Sequence, residues 1–166
     1  MSPDKVDFAE FFERRRAGCQ RAVYAVVGDQ RQAEELVAEA FARAWARWES
    51  VGRHPAPQAW IVRTALNGHV SGWRRRRREI GWDGQQEPIA GPSPGSQIDR
   101  DVIHALRALP VRQREVVVLR TFLDLDTQAT ADALGIATGT VRAHLHRALH
   151  TLRQQLAPHI DQEVRP

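Results

Sequence analysis

The segment between residues 127 and 152 constrains the fold most strongly, because it shows two helical patterns separated by a single glycine. The first pattern runs from Thr127 to Leu134. Thr127 is its predicted N-cap, since a threonine hydroxyl can accept a hydrogen bond from an unpaired backbone N–H. Gly135 suits the left-handed conformation that ends a helix without a Cβ clash, and Thr138 is the predicted N-cap of the second helix. The segment therefore predicts a helix-turn-helix, whose second helix can enter a DNA major groove.

The second of these helices has two chemically different faces. Its predicted apolar face consists of residues at spacings of three and four, namely Val141, Leu145, Ala148, Leu149, Leu152 and Leu156. Arg142, His146 and Arg147 lie off that face, with Ala143 beside them, and Pro158 is predicted to end the helix. An amphipathic helix pair with a solvated arginine face would give the same pattern, so this segment alone leaves a purely structural role open.

The basic charge of the chain is concentrated rather than spread. The net charge is only +4. Residues 51–80, however, hold seven arginines and one acidic residue, and five of those arginines follow Trp73 in an unbroken run. Such clustering is typical of a surface that binds nucleic-acid phosphates. Of the 24 basic residues, 23 are arginine, which either a GC-rich genome or a need for forked phosphate contacts would explain.

The rest of the chain also shows helical periodicity. Helices are predicted from Val6 to about Val27, from Asp29 as N-cap through Trp48, and from Gln58 through the arginine run. The expected buried positions of the second of these are Ala33, Leu36, Val37, Ala40, Phe41, Ala44 and Trp45. Helices are also predicted from near Asp99 and from Pro110 to about Leu123.

A low-complexity segment divides these helices into two groups. Residues 81–97 contain four glycines and three prolines, a composition typical of a flexible linker. The predicted fold class is therefore all-α, with two small helical domains (residues 5–80 and 99–157) joined by a flexible linker (residues 81–98). The C-terminal domain is the helix-turn-helix. The linker leaves open whether the two domains pack together in the free chain.

Several classes of protein and site are not expected. The single cysteine, Cys19, allows no internal disulfide, and neither a signal peptide nor an apolar run long enough to span a membrane is present. We therefore expect a cytoplasmic protein. His146 and His150 are four residues apart, a spacing that metal ligands on a helix can have. A zinc site needs three or four ligands, and one distant cysteine with scattered histidines does not supply the others. Because no catalytic set accompanies the chain's acidic residues, we expect no catalytic residue, metal or cofactor.

Four motifs, in this order, resemble those of the extracytoplasmic-function (ECF) sigma factors of the sigma-70 family, and in particular a short actinobacterial-type subgroup. The motifs are residues 28–41, residues 57–67, the segment from Trp73 to Arg78, and residues 109–119 followed by the helix-turn-helix. Each motif alone is moderately specific for this family, whereas the order and spacing of all four together are highly specific. The resemblance covers nearly the whole chain except the linker and the ends.

The resemblance implies three groups of functional residues. Docking on the β′ clamp helices of core RNA polymerase would involve Glu34, Glu35, Leu36, Glu39 and Phe41. Binding of the minus-10 promoter element would involve Asn67, Ser71, Trp73, Arg74, Arg75, Arg77 and Arg78. Reading of the minus-35 element would involve Thr140, Arg142, Ala143, His146 and Arg147. The implied partners are promoter DNA and core polymerase (including its β flap), and the sequence leaves open whether an anti-sigma protein is a further partner.

Four positions depart from the pattern of the family. Ala38 stands where a glutamine is usual, Ser71 replaces a frequent aspartate, and Gly68 and Gly72 are predicted to weaken the third helix, because each costs about 1 kcal/mol relative to alanine.

The sequence also leaves two alternative functions open. An autonomous helix-turn-helix regulator would bind operator DNA through residues 99–166 alone. An adaptor protein would instead use the acidic helix around Glu34 to bind another protein.

Overall fold

The computed structural model describes the backbone of residues 3–80 and 97–163 and the side chains of residues 7–68 and 100–158. These residues form α-helices and no strand, which confirms the all-α class. The helices are α1 (Pro3–Val27), α2 (Gln30–Ala46), α3 (Trp48–Val51), α4 (Pro57–Ile80), α5 (Gln97–Ala108), α6 (Val111–Thr121), α7 (Thr127–Leu134) and α8 (Thr138–Glu163). Of the predicted linker, residues 81–96 lie outside the described residues, and Gln97 and Ile98 already belong to α5.

The ends of the N-terminal helices follow from local chemistry. Gly28 adopts a positive φ of 79° after α1. The Asp29 side chain accepts a 2.9 Å hydrogen bond from the backbone N–H of Gln32, which confirms it as the N-cap of α2. Arg47 leaves the helical conformation (φ −124°, ψ 24°), so α2 ends at Ala46, short of the predicted end, and the chain turns into the short α3. In contrast, α4 continues through both Gly68 and Gly72.

Aromatic rings fill the space between α1 and α2. Phe41 is 2% exposed, and its ring meets that of Phe12 edge-on with centroids 4.9 Å apart. The prediction that Trp45 is buried is wrong, because this side chain is 46% exposed. Trp45 follows Ala44 at the edge of the buried stripe, and its ring is tilted by 56° against that of Phe8, with centroids 4.9 Å apart.

The helix-turn-helix forms as predicted, with corrections at its ends. Asp126, and not Thr127, is the N-cap of α7, and its carboxylate accepts a 2.7 Å hydrogen bond from the N–H of Ala129. Aspartate is at least as good a cap as threonine, and the sequence offers the two side by side. Gly135 has the expected left-handed conformation (φ 66°). Thr138 is the first residue of α8 rather than the residue before it.

Pro158 does not end α8, which continues to Glu163. A proline inside a helix deprives the carbonyl four residues earlier of its N–H partner. That earlier residue is Gln154, whose side chain is exposed, and at such a surface water can hydrogen-bond the freed carbonyl.

Among the helices of the described ranges, none combines the length and hydropathy that crossing a bilayer requires.

The helices on the two sides of the linker pack against each other. We call α1–α4 the N-terminal helices and α5–α8 the C-terminal helices. Ala25 of α1 is buried in one cluster with Leu106, Leu109, Val117 and Ala148 of the C-terminal helices. A larger cluster also contains residues of both groups, for example Ile61 and Leu134. In this structure the two groups of helices therefore pack against each other through two apolar clusters, each with members from both groups.

Gly135 and Gly139 provide a matched test of the turn. We expect Gly135→Ala to lower the free energy of unfolding by about 1 kcal/mol, because an alanine at a φ of 66° is strained even though its Cβ would meet no atom within 4 Å. Gly139→Ala adds a Cβ in equally open space within a helix, so it should be neutral or slightly stabilising. Urea denaturation followed by circular dichroism measures both, and equal effects would contradict the argument from φ.

Candidate DNA and partner interfaces

The basic face of α8 is presented to solvent. Thr140, Arg142, His146 and Arg147 are exposed and Ala143 is half-buried. On the opposite side, Val141 and Ala148 are completely buried. The structure therefore brings together the five residues predicted to read the minus-35 element on one surface of one helix. Two guanidinium groups and an imidazole on such a surface can donate hydrogen bonds to base edges and phosphates.

Short backbone contacts hold this helix in place. The N–H of Ile136 donates to the carbonyl of Ala131 (3.1 Å), which closes the turn around Gly135. Before α7, the guanidinium of Arg120 donates a 2.7 Å hydrogen bond to the carbonyl of Leu125. Because both loops beside α7 are fixed by hydrogen bonds, the exposed basic face of α8 has a defined orientation relative to α6 and α7.

The predicted minus-10 residues lie along α4. Asn67 is exposed, whereas Ile61, Val62 and Ala65 are buried against the neighbouring helices. Ser71, Trp73, Arg74, Arg75, Arg77 and Arg78 belong to the same helix, but their side chains lie outside the described residues. At a rise of 1.5 Å per residue, the arginine run extends about 16 Å beyond Asn67.

The acidic face of α2 is solvent-exposed and laced with ion pairs. Glu35 pairs with Arg31 at 3.2 Å and Glu39 pairs with Arg43 at 2.6 Å, each one helical turn apart. Glu34 accepts a 2.9 Å hydrogen bond from the side-chain amide of Gln30. Exposed pairs of this kind contribute little to stability, so these carboxylates are available to a partner at small cost.

The two apolar residues predicted for the same interface lie beneath it. Leu36 is half-buried against α4, with Cδ2 3.6 Å from where a Cβ on Gly68 would stand. Phe41 is buried among aromatic rings. Neither therefore offers much surface to a partner.

Two features escaped the sequence analysis. The first is an open apolar groove of about 480 Å³ between α1 and α2, lined by Phe8, Ala9, Phe12, Ala38, Phe41, Ala42 and Trp45. The second is Arg63 on α4, whose Nη1 donates a 3.1 Å hydrogen bond to the carbonyl of Ala133 in the C-terminal helices. Arg63 is the sole charged residue between Pro57 and Gly72, a signal in the sequence that could have identified it.

Within the described side chains, neither Cys19 nor a histidine belongs to a group of potential metal ligands. Across residues 7–68 and 100–158, no three His, Cys, Asp or Glu side chains come close enough to hold an ion. Burial raises the pKa of the Cys19 thiol to about 12, so the thiol stays protonated at neutral pH. Its Sγ faces the carbonyl of Gln58 at 3.9 Å.

Comparison with known proteins agrees with this arrangement. Residues 11–79 match the family model for sigma-70 region 2, and residues 99–152 match the model for sigma-70 region 4. The RNA polymerase sigma-E factor of Streptomyces coelicolor is 33% identical over 91% of this chain and 86% of its own length. The ECF RNA polymerase sigma factor SigL of Mycobacterium tuberculosis is 32% identical over 87% of this chain and 86% of its own.

A solved structure extends the similarity to three dimensions. The sigma factor RpoE of Bartonella quintana, crystallised with the anti-sigma factor NepR, matches with a TM-score of 0.73 and 25% identity. The match covers 91% of this chain and 97% of that one. Sequence and fold thus agree over both groups of helices, and the chain belongs to the ECF sigma factors of the sigma-70 family, the RNA polymerase subunits that direct transcription initiation.

Proposed function

We propose that this sigma factor docks on core RNA polymerase with α2, binds the minus-10 element with α4 and reads the minus-35 element with α8. The observation that carries this proposal is the exposed face of Arg142, His146 and Arg147, held in a fixed orientation by α7 and the left-handed turn at Gly135. The proposed functional units are residues 5–80 and 99–157, with residues 81–98 as the connection.

Reading of the minus-35 element would rest on the chemistry of the major groove. Arginine can donate two hydrogen bonds to the O6 and N7 atoms of guanine, and small side chains can contact the thymine methyl group. Arg142 and Arg147 supply the first kind of contact, Ala143 the second, and Thr140 lies at the N-terminal end of α8, where a phosphate is favoured. His146 is the remaining donor on this face.

Opening of the minus-10 element would use binding energy rather than chemistry. An unstacked base costs a few kcal/mol to extrude, which stacking and hydrogen bonds in a protein pocket can offset. Asn67 is exposed on α4 and would hydrogen-bond such a base, with Ser71 and Trp73 beyond it on the same helix. The following arginines would bind the neighbouring phosphates, and because successive residues are 100° apart, only some of them can face DNA.

Docking on polymerase would use the carboxylates of Glu34, Glu35 and Glu39 against the β′ clamp helices, with Leu36 and Phe41 supporting them. The C-terminal helices would contact the β flap. The NepR complex of the related RpoE supports an anti-sigma protein as a further partner. On this proposal the protein acts in the cytoplasm, contributes no catalytic residue and needs no cofactor.

Transcription with purified core polymerase that lacks other sigma factors tests the proposal. We expect promoter-specific transcripts from genomic fragments only when the chain is added. A Glu35→Lys/Glu39→Lys variant should bind core polymerase at least about tenfold more weakly, because it places like charges at the proposed interface. The matched control is Glu10→Lys/Glu49→Lys, which reverses two carboxylates that also pair with an arginine one turn away. Equal core affinity of the two variants, or no binding of the wild type to core, would contradict the proposal.

A further inference from the structure

The open groove between α1 and α2 is lined by apolar side chains. Aromatic rings from both helices form its walls, namely Phe8 with Trp45 and Phe12 with Phe41, each pair with centroids 4.9 Å apart. The other lining residues of α2 are Ala38 and Ala42, which are exposed and too short to fill the space. The volume of about 480 Å³ is within the range of about 300–1,000 Å³ that is typical of binding clefts.

The groove combines exposed apolar surface with a charged rim. Trp45 is nearly half exposed, although a ring of this size gains more than most side chains from burial. At the rim on α1, the guanidinium of Arg16 lies over the ring of Phe12, 5.3 Å from its centroid. An exposed apolar patch inside a polar rim is typical of a surface that binds another protein.

The groove continues the acidic face of α2. Glu34 and Glu35 precede Ala38 by four and three residues, so the three side chains are neighbours on the surface of the helix. At a rise of 1.5 Å per residue, Ala38 lies about 6 Å further along α2 than Glu34. A partner that contacts these carboxylates therefore reaches the groove within one helical turn.

The partner that fits both surfaces is an amphipathic helix. Apolar side chains at spacings of three or four would enter the groove, which is the usual way in which a helix binds a groove. Basic side chains beside them would face Glu34 and Glu35. A second copy of this chain fits less well, because two copies that met through this face would bring the same carboxylates together.

We propose that the helix of core RNA polymerase that docks on α2 also places an apolar side chain in this groove, and that Ala38 keeps the groove open for it. This inference rests on the proposed docking of α2 on polymerase. A glutamine, which is usual in the family at this position, would place its amide in the groove. The partner would then bury that amide without a hydrogen bond, which is unfavourable.

Restoring the usual residue of the family tests the role of Ala38. We expect Ala38→Gln to weaken binding of the full chain to purified core polymerase about tenfold, because it excludes an apolar side chain from the groove. If position 38 instead makes a polar contact, the same substitution should tighten binding. The control is Ala17→Gln, an equal change at an exposed position of α1 that is half a turn away from Phe8. Both positions accept glutamine at little cost to the helix.

Alkylation of an introduced thiol measures whether the groove is occupied. Ala42→Cys places a thiol in the groove, and Ala17→Cys places one outside it. Cys19 should not react, because its thiol is buried and protonated. With N-ethylmaleimide and mass spectrometry of the chain, we expect saturating core polymerase to suppress modification of Ala42→Cys and to leave that of Ala17→Cys unchanged.

Either of two results would overturn the proposal. One is an Ala38→Gln variant that binds core polymerase as tightly as the wild type or more tightly. The other is an Ala42→Cys thiol that reacts equally fast with and without core polymerase. The Glu35→Lys/Glu39→Lys variant distinguishes the possible failures. If it binds core normally, docking through α2 is wrong, and if it binds weakly while Ala38→Gln does not, the contact in the groove alone is wrong.

Discussion

Replacing Arg142 and Arg147 together by alanine should reduce promoter-specific transcription by on the order of 100-fold. Each well-placed contact to a base edge discriminates by about 1–3 kcal/mol, and 1.4 kcal/mol corresponds to a factor of ten. Both side chains are exposed, and alanine is a better helix former than arginine, so the fold should be unaffected. The measurement is run-off transcription with core polymerase, with circular dichroism to verify the helices.

The control for this variant removes the same total charge elsewhere. Arg14→Ala/Arg153→Ala alters two exposed arginines, one of them on α8 beyond the proposed reading face. It should retain at least about half of the wild-type transcription. If both double variants lose activity equally, the arginines of α8 act through net charge alone, and the proposed base contacts are wrong.

Phe41→Ala should be the most destabilising single substitution in the N-terminal helices. The side chain is buried, and its ring contacts those of Phe12, Phe11 and Phe8 at centroid distances of 4.9, 5.7 and 6.4 Å. Truncating a buried phenylalanine removes its transfer free energy and leaves a cavity, at a cost of about 3–5 kcal/mol. Urea denaturation measures this loss, provided that unfolding is a single transition.

Two companion variants assign the effect to packing. Phe41→Leu keeps most of the volume and should lose considerably less stability. Trp45→Ala removes a larger ring that is nearly half exposed, and should cost about 1 kcal/mol. A Phe41→Leu variant that is stable but fails to bind core polymerase would show that Phe41 contacts the partner directly, contrary to its burial.

The helices were predictable because their signals are local. Apolar spacing located α2 and α8, Asp29 marked the start of α2, and Gly135 marked the turn of the helix-turn-helix. Two of the errors fall where two local signals compete. Asp126 and Thr127 are neighbouring residues that could each cap α7. At Pro158, the helix-breaking tendency of proline competes with the continuation of α8, which is possible because water can hydrogen-bond the freed carbonyl of Gln154. Neither competition can be decided by periodicity alone.

The features that the sequence did not predict are non-local. Packing of α1 against the C-terminal helices depends on complementary surfaces separated by the segment 81–96, and no periodicity within one helix reports on it. Trp45 belongs to the edge of an apolar stripe, where burial depends on how closely α1 approaches. The proposed interface residues came from family resemblance, whereas the contacts of Arg63 required coordinates.

The apolar packing between the two groups of helices also bears on how such a chain can be recombined. Many proteins with two DNA-contacting units can exchange one unit for another, because the connection carries few contacts. Here Ala25 of α1 is packed among Leu106, Leu109 and Val117 of the C-terminal helices. A chimera that carries the C-terminal helices of another sigma factor would leave part of the apolar surface of α1 exposed. The rest of that surface would pack against side chains that do not fit it. On the proposed function, new promoter specificity is therefore more accessible through substitutions on the exposed face of α8 than through exchange of whole groups of helices.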